Sequence, residues 1–173
     1  MASPLRDGSF DIAEIVRFED ATSSIQIGPP KLVLAGDRFA KSQPLASQVQ
    51  ISAEDQPVIV PGGRVKRRMD LALTEPAKQF ELRYHLDGIT IRSIPSRAGR
   101  AVTAISPLVT GVSKNFPVAM MVSGSTVLNI QCPVRRMSKQ ACAVGQPPQL
   151  RVKGWLRRSG AVIVVQFDLP RQQ

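Results

Sequence analysis

Arg151, Lys153, Arg157 and Arg158 surround Trp155 within the stretch Leu150-Arg151-Val152-Lys153-Gly154-Trp155-Leu156-Arg157-Arg158. On an extended chain, side chains alternate between two faces, so Arg151, Lys153 and Trp155 would share one. Cations at that spacing can hold phosphate, sulfate or carboxylate groups, with the guanidinium fork binding in a bidentate way. A second group, Lys66-Arg67-Arg68, has Asp70 beside it and therefore a weaker field. Arg92, Arg97 and Arg100 form a third group, and Arg135, Arg136 and Lys139 a fourth. An ordinary solvated strand face has the same composition, so the pattern alone leaves both readings open.

The distribution of charge favours a polyanionic partner. Residues 1–86 carry 11 basic and 11 acidic side chains, whereas residues 87–173 carry 12 basic ones against only Asp87 and Asp168. Eleven arginines and lysines lie between those two aspartates without one acidic residue. Solubility alone does not require charge of a single sign. Nucleic acid is one polyanion to weigh. Single-strand binding uses aromatic platforms interleaved with charge, and the basic half offers only Phe116, Trp155 and Phe167. No zinc-finger, helix-turn-helix or RNP-like pattern is present, which argues against sequence-specific recognition and leaves contact with the phosphate backbone.

Cys132 and Cys142 are separated by nine residues, a local spacing that predicts a disulfide and an oxidising compartment. The alternative is two buried thiols in a reducing cytosol. His85 is the one histidine, and together with two cysteines it makes no metal-ligand spacing, so neither metal nor cofactor is expected. Nucleophilic chemistry has one candidate. His85, Cys132 and either Arg135 or Arg151 follow in order, and Thr126-Val127-Leu128-Asn129-Ile130-Gln131-Cys132 resembles the strand that ends in a sortase cysteine. That resemblance implies a Cys–His transpeptidase, and it covers that strand only. The threonine expected just before the cysteine is missing, and His85 falls within a strand rather than in a loop after one. No G-x-S-x-G, P-loop or G-x-G-x-x-G occurs.

The elements that must position these residues are strands. The segment Phe80-Glu81-Leu82-Arg83-Tyr84-His85-Leu86 alternates apolar and polar residues, which predicts a half-buried strand with Phe80, Leu82, Tyr84 and Leu86 inward. Asp87-Gly88 then predicts a hairpin tip returning through Ile89–Ser93. Ala161–Leu169 is nearly all apolar and β-branched, which suits a central strand, with Leu150–Trp155 as its partner across a Ser159-Gly160 turn. Further strands are expected at Phe10–Phe18, Ile25–Ile27, Lys31–Leu34, Gln48–Ser52, Pro57–Val60, Val65–Leu73, Val118–Val122 and Val127–Cys132. Ser96–Ile105 and Ser138–Ala143 are weak helical candidates.

About ten short strands, punctuated by 14 prolines and 12 glycines, predict an all-β, antiparallel β-sandwich of immunoglobulin-like or jelly-roll type. Residues 10–170 would form the single domain, with flexible ends at 1–9 and 171–173. The longest apolar runs are far shorter than the ~20 residues of a transmembrane helix. The first residues have no signal-peptide core. The expectation is therefore a non-enzymatic binding module with a basic face for a polyanionic or protein partner, secreted or at a cell envelope. The alternative is a jelly-roll coat protein contacting nucleic acid, in the cytoplasm or a virion.

Overall fold

The computed structural model describes residues 1–92, 99–135 and 141–170. In chain order its strands are β1 (Ala2–Pro4), β2 (Phe10–Ile27), β3 (Leu45–Ala53), β4 (Gln56–Val58), β5 (Met69–Asp87), β6 (Thr90–Arg92), β7 (Arg100–Ile105), β8 (Val109–Thr110), β9 (Pro117–Val118), β10 (Met121–Ser123), β11 (Val127–Gln131), β12 (Ala143–Gln146), β13 (Gln149–Val152), β14 (Leu156–Arg157) and β15 (Ile163–Asp168). The fold is all β, rich in antiparallel pairs and sandwich-like, as the alternation predicts.

The larger sheet runs β12-β13-β10-β1-β2-β5-β3-β4, with β8 added to the end of β2. The smaller runs β11-β15-β7-β6, and β14 pairs with β9 in a two-stranded ribbon. This division is neither the four-and-three of an immunoglobulin constant domain nor the eight strands of a jelly roll. The core lies between the two sheets. Phe10 of β2 meets Phe167 of β15 edge to face, with ring centroids 5.2 Å apart. Such a pair adds to the stabilisation that burial of both rings already supplies.

The backbone of the larger sheet is the ladder between β2 and β5, which runs from Phe10 opposite Leu86 to Ile27 opposite Met69. These strands have 18 and 19 residues, so the strands expected at 10–18, 25–27 and 65–73 merge into longer ones. Polar Asp20-Ala21-Thr22-Ser23-Ser24 lies between two of the expected strands. It is a bulged, mostly exposed middle, where register shifts on either side of Thr22 absorb the misfit and pairing resumes.

Phe80, Leu82, Tyr84 and Leu86 are buried as expected. The hairpin at Asp87-Gly88 does not form. Leu86 is already paired with Phe10 on one side and Ala46 on the other, so β5 has no open edge for a returning strand. The chain instead crosses to the smaller sheet, where β6 pairs with β7. Gly88 still matters there: its φ is 71°, and a Cβ would stand 2.1 Å from the Gln43 carbonyl oxygen.

Ile163, Val164, Val165 and Phe167 are all buried, which fits the central strand β15. Its partners are β7 and β11 rather than Leu150–Trp155. Strand β13 pairs with β10 and β12. Extension stops before Gly154, whose φ is 71°. Lys31–Leu34 gives a 3-10 turn over Val33–Ala35 that buries Ala35 rather than a strand. Val118–Val122 is divided between β9 and β10. The described part of the helical candidate at 96–105 is strand β7. In the other candidate, Ala141 makes an isolated bridge to Gln131, and β12 begins at Ala143. The first residues, expected to be flexible, carry β1, which pairs with both β2 and β10 and buries Ala2. The tail 171–173 lies outside the described residues.

Candidate functional site

The segment 151–158 builds two different surfaces. Arg151 on β13 stands opposite Met121 of β10, and Arg157 on β14 stands opposite Pro117 of β9. Directly opposed residues on paired strands project to the same side. Met121 and Pro117 line a cavity, and Arg151 and Arg157 stand across from them on the neighbouring strands. Arg151, Lys153 and Arg157 are exposed. Trp155 is 69% exposed and lines the same cavity. The single strand face expected for Arg151, Lys153 and Trp155 is interrupted at Gly154, which sets Trp155 beyond the end of β13.

The cysteine loop braces this rim. Cys132 and Cys142 are disulfide-bonded, with Cα atoms 5.9 Å apart. The Lys153 N–H donates to the Cys142 carbonyl at 2.8 Å. Arg135 Nη2 donates to the Lys153 carbonyl at 2.9 Å. Two basic groups that are separate in sequence are thus joined through Lys153. Arg136 and Lys139 lie outside the described residues, as does Arg97. Cys132 is buried and bonded, so it offers no thiolate for the sortase-like chemistry. His85 sits between two aspartates, with Nδ1 3.0 Å from Asp11 and Nε2 3.3 Å from Asp87. The hydrogen bond to Asp11 raises its pKa above the ordinary histidine value.

Arg158 goes inward. Its Nε and Nη2 donate to the Val109 carbonyl at 2.8 and 2.6 Å, and Nη2 reaches the Pro107 carbonyl at 3.3 Å. Burial lowers its pKa, although a guanidinium stays charged. Glu14, on the same face of β2 as buried Ile12 and Val16, accepts the N–H groups of Leu108 at 2.9 Å and Val109 at 3.2 Å. Burial pushes its carboxyl up, and the two N–H donors oppose that shift. The chain at 107–109 is therefore held from both sides, its donors by Glu14 and its acceptors by Arg158. Tyr84, opposite Ile12, completes the cluster, and burial drives its phenol well above the ordinary value, with Glu14 adding to the shift.

Sequence reading treated Arg158 as a surface cation and did not single out Glu14. Both had a signal in the period of two: Glu14 follows Ile12, and Arg158 follows buried Leu156, each two residues on. Lys66, Arg67 and Arg68 are exposed just before β5. Arg68 bonds the Gln26 side-chain oxygen, and Gln26 Nε2 donates to Asp70 at 2.6 Å. Arg100 is paired with Asp168 at 3.0 Å, and Arg92 reaches the Pro170 carbonyl at 3.4 Å. Among the described residues, no three His, Cys, Asp or Glu side chains are grouped to hold a metal. No helix among them is long and apolar enough to cross a membrane.

No protein family matches the chain, and no curated protein matches it. The solved structures similar to it include two of one enzyme. One is an M1 zinc metallopeptidase from Deinococcus radiodurans, with 14% identity and a TM-score of 0.38, covering 92% of this chain and 37% of that one. The other is a mutant of that peptidase bound to a Tyr-Ser-Ala substrate, with 15% identity and a TM-score of 0.36, covering 92% and 38%. The chain thus spans well under half the length of the solved structures it resembles.

Proposed function

We propose that this domain is a non-catalytic binding module that takes a polyanionic ligand on the rim formed by Arg151, Lys153, Arg157 and Trp155. Lys66, Arg67 and Arg68 serve as a weaker second patch. The observation that carries the reading is the shared exposure of three cations and one tryptophan within residues 151–157. Acid-free sequence from Gly88 to Phe167 leaves their charge uncancelled by neighbours along the chain. Summed like charges attract polyanions at long range and release counterions on contact. The disulfide supports a setting outside the reducing cytosol, secreted or at a cell envelope.

Retention on immobilised heparin at low and high salt tests the reading. The combined variant Arg151→Gln, Lys153→Gln, Arg157→Gln should elute at distinctly lower salt than the parent while keeping its circular dichroism spectrum. Arg158 is left intact because it holds the Pro107 and Val109 carbonyls. A parent that fails to bind heparin, duplex DNA and an anionic envelope polymer at low salt would refute the module as described.

A further inference from the structure

The larger sheet has a gap beside β2. Strand β1 pairs with β2 on one edge and with β10 on the other, so at Ala2 the two flanks stand one strand apart. The Met1 carbonyl still takes the Ala13 N–H at 2.8 Å. From there on, among the described residues, β2 has no strand on that edge until β8 at Gln26, although its other edge stays paired with β5 through Arg17. Residues 14–17 and 117–120 both line the resulting cavity, which has a volume of about 470 Å³.

Main-chain groups point into this gap from both flanks. Bonded and non-bonded positions alternate along a strand, so Ile15 and Arg17 turn their N–H and C=O to the same side as Ala13. Across the gap, the Phe116 and Met120 carbonyls accept the N–H groups of Arg158 and Val152, each at 2.9 Å. Ala119, at an alternate position, therefore turns the other way, toward β2. The polar side chains of the lining are already engaged. Glu14 and Arg158 hold residues 107–109, Ser106 accepts the Lys31 N–H at 2.9 Å, and Arg17 Nε donates to Gln79 at 2.9 Å. The Met1 ammonium donates to the Ala13 carbonyl, and Tyr84 is coupled to Glu14. What the gap offers is two open strand edges over an apolar floor of Ile105, Phe116 and Ile163. Open edges of this kind are templates for an added strand.

We infer that the gap takes an extended peptide segment of a partner protein, which adds a strand antiparallel to β2 in line with β1. Opposed residues on paired strands project to the same side, so the peptide's residues opposite Glu14 and Val16 point inward and should be apolar. The residue opposite Ile15 points outward and covers a side chain that is 62% exposed. The residue opposite Arg17 should be acidic, since opposite charges directly across a ladder attract. Main-chain bonds supply affinity and the alternating side chains supply selectivity. This inference does not rest on polyanion binding at the rim.

The test is an NMR titration of the parent and of Arg17→Glu with the capped peptide acetyl-Asp-Val-Thr-Val-amide, whose residues fall opposite Arg17, Val16, Ile15 and Glu14 in turn. Binding should be one to one. With peptide at about ten times its dissociation constant, exchange of the Ile15 and Arg17 amide hydrogens should slow about tenfold. The Glu14 and Val16 amides, turned toward β5, should not change. N-methylation of the peptide's threonine removes the donor to the Ile15 carbonyl and should weaken binding about tenfold. Lysine in place of the peptide's aspartate should weaken binding to the parent about threefold, and Arg17→Glu should reverse that preference. Decanoate, which can fill an apolar cavity but has no peptide backbone, should bind less tightly than the peptide, and the free protein should sediment as a monomer. The inference is overturned if the parent does not bind the peptide at millimolar concentration, if the N-methylated peptide binds as well, or if exchange at Ile15 and Arg17 is unchanged. It is equally overturned if the aspartate and lysine peptides bind both proteins alike, if decanoate binds more tightly, or if the free protein is a dimer closed across this gap.

Discussion

Arg157 and Arg158 are adjacent and chemically identical, yet the fold gives them opposite environments. Arg157 lies on the short ribbon strand β14, exposed at the rim. Arg158, one residue on, turns beneath the rim and donates to the carbonyls of Pro107 and Val109. The rim is charged and wet, and its residues are replaceable in structural terms. The interior is apolar with a few polar groups, and two of those, Glu14 and Arg158, hold backbone that the sheets leave unpaired. A cation's contribution therefore depends on which side of the strand it leaves, and residue type alone does not reveal it.

The largest expected effect breaks or keeps this contrast directly. Arg158→Ala should lower unfolding free energy by about 3 kcal/mol, because it strips a charged donor from buried carbonyls, whereas Arg157→Ala should change it by less than about 0.5 kcal/mol. Urea denaturation of the two variants measures both. Equal losses would mean that the two arginines are not structurally distinct. Next is the brace beneath the rim. Replacing Cys132 and Cys142 together by Ala should cost about 2–3 kcal/mol through loop entropy in the unfolded chain. It should also weaken heparin retention, since the Cys142 carbonyl receives the Lys153 N–H.

Two smaller effects come from neighbouring residues on opposite faces of β5. Tyr84 faces the dry side, where Glu14 acts on its phenol through charge and a hydrogen bond, and Tyr84→Phe should change stability by no more than about 1 kcal/mol, the scale of one such bond. Thermal unfolding in ligand-free buffer reads that change. His85 faces the wet side beside Asp11 and Asp87. Its folded pKa is raised above the unfolded value, so its contribution is fully present below about pH 6.5 and fades as pH climbs through the folded pKa. His85→Ala should therefore cost on the order of 0.5 kcal/mol at pH 5.5, the scale of an exposed pair, and nothing at pH 8.5.

Much of the fold was legible because it depends on the period of two. Phe80 through Leu86 fixes one face of β5, and the β-branched run around Val164 marks a strand that must be covered on both sides. What the sequence hid was pairing. Asp87-Gly88 has hairpin chemistry, but whether a hairpin forms depends on whether β5 has an open edge, and that is decided by β2 and β3 far away in sequence. The disulfide was legible from local spacing. The meeting of Arg135 with Lys153 was not, because it depends on the sheet that carries β13. Glu14 shows the limit most clearly: a lone carboxyl on an apolar face signals that something must satisfy it, without saying that the donors are Leu108 and Val109.

The rim's role as a polyanion site rests most directly on the salt dependence of binding to a defined heparin fragment. Affinities of the parent and of the variant with Arg151, Lys153 and Arg157 replaced by Gln would be measured across a series of sodium chloride concentrations. Each cation that touches an anionic group should add roughly one unit to the slope of log affinity against log salt. The account predicts a steep slope for the parent and a loss of about two to three units in the variant. Parallel slopes of equal affinity would contradict it, and would leave the basic segment as a solvated edge around the cavity.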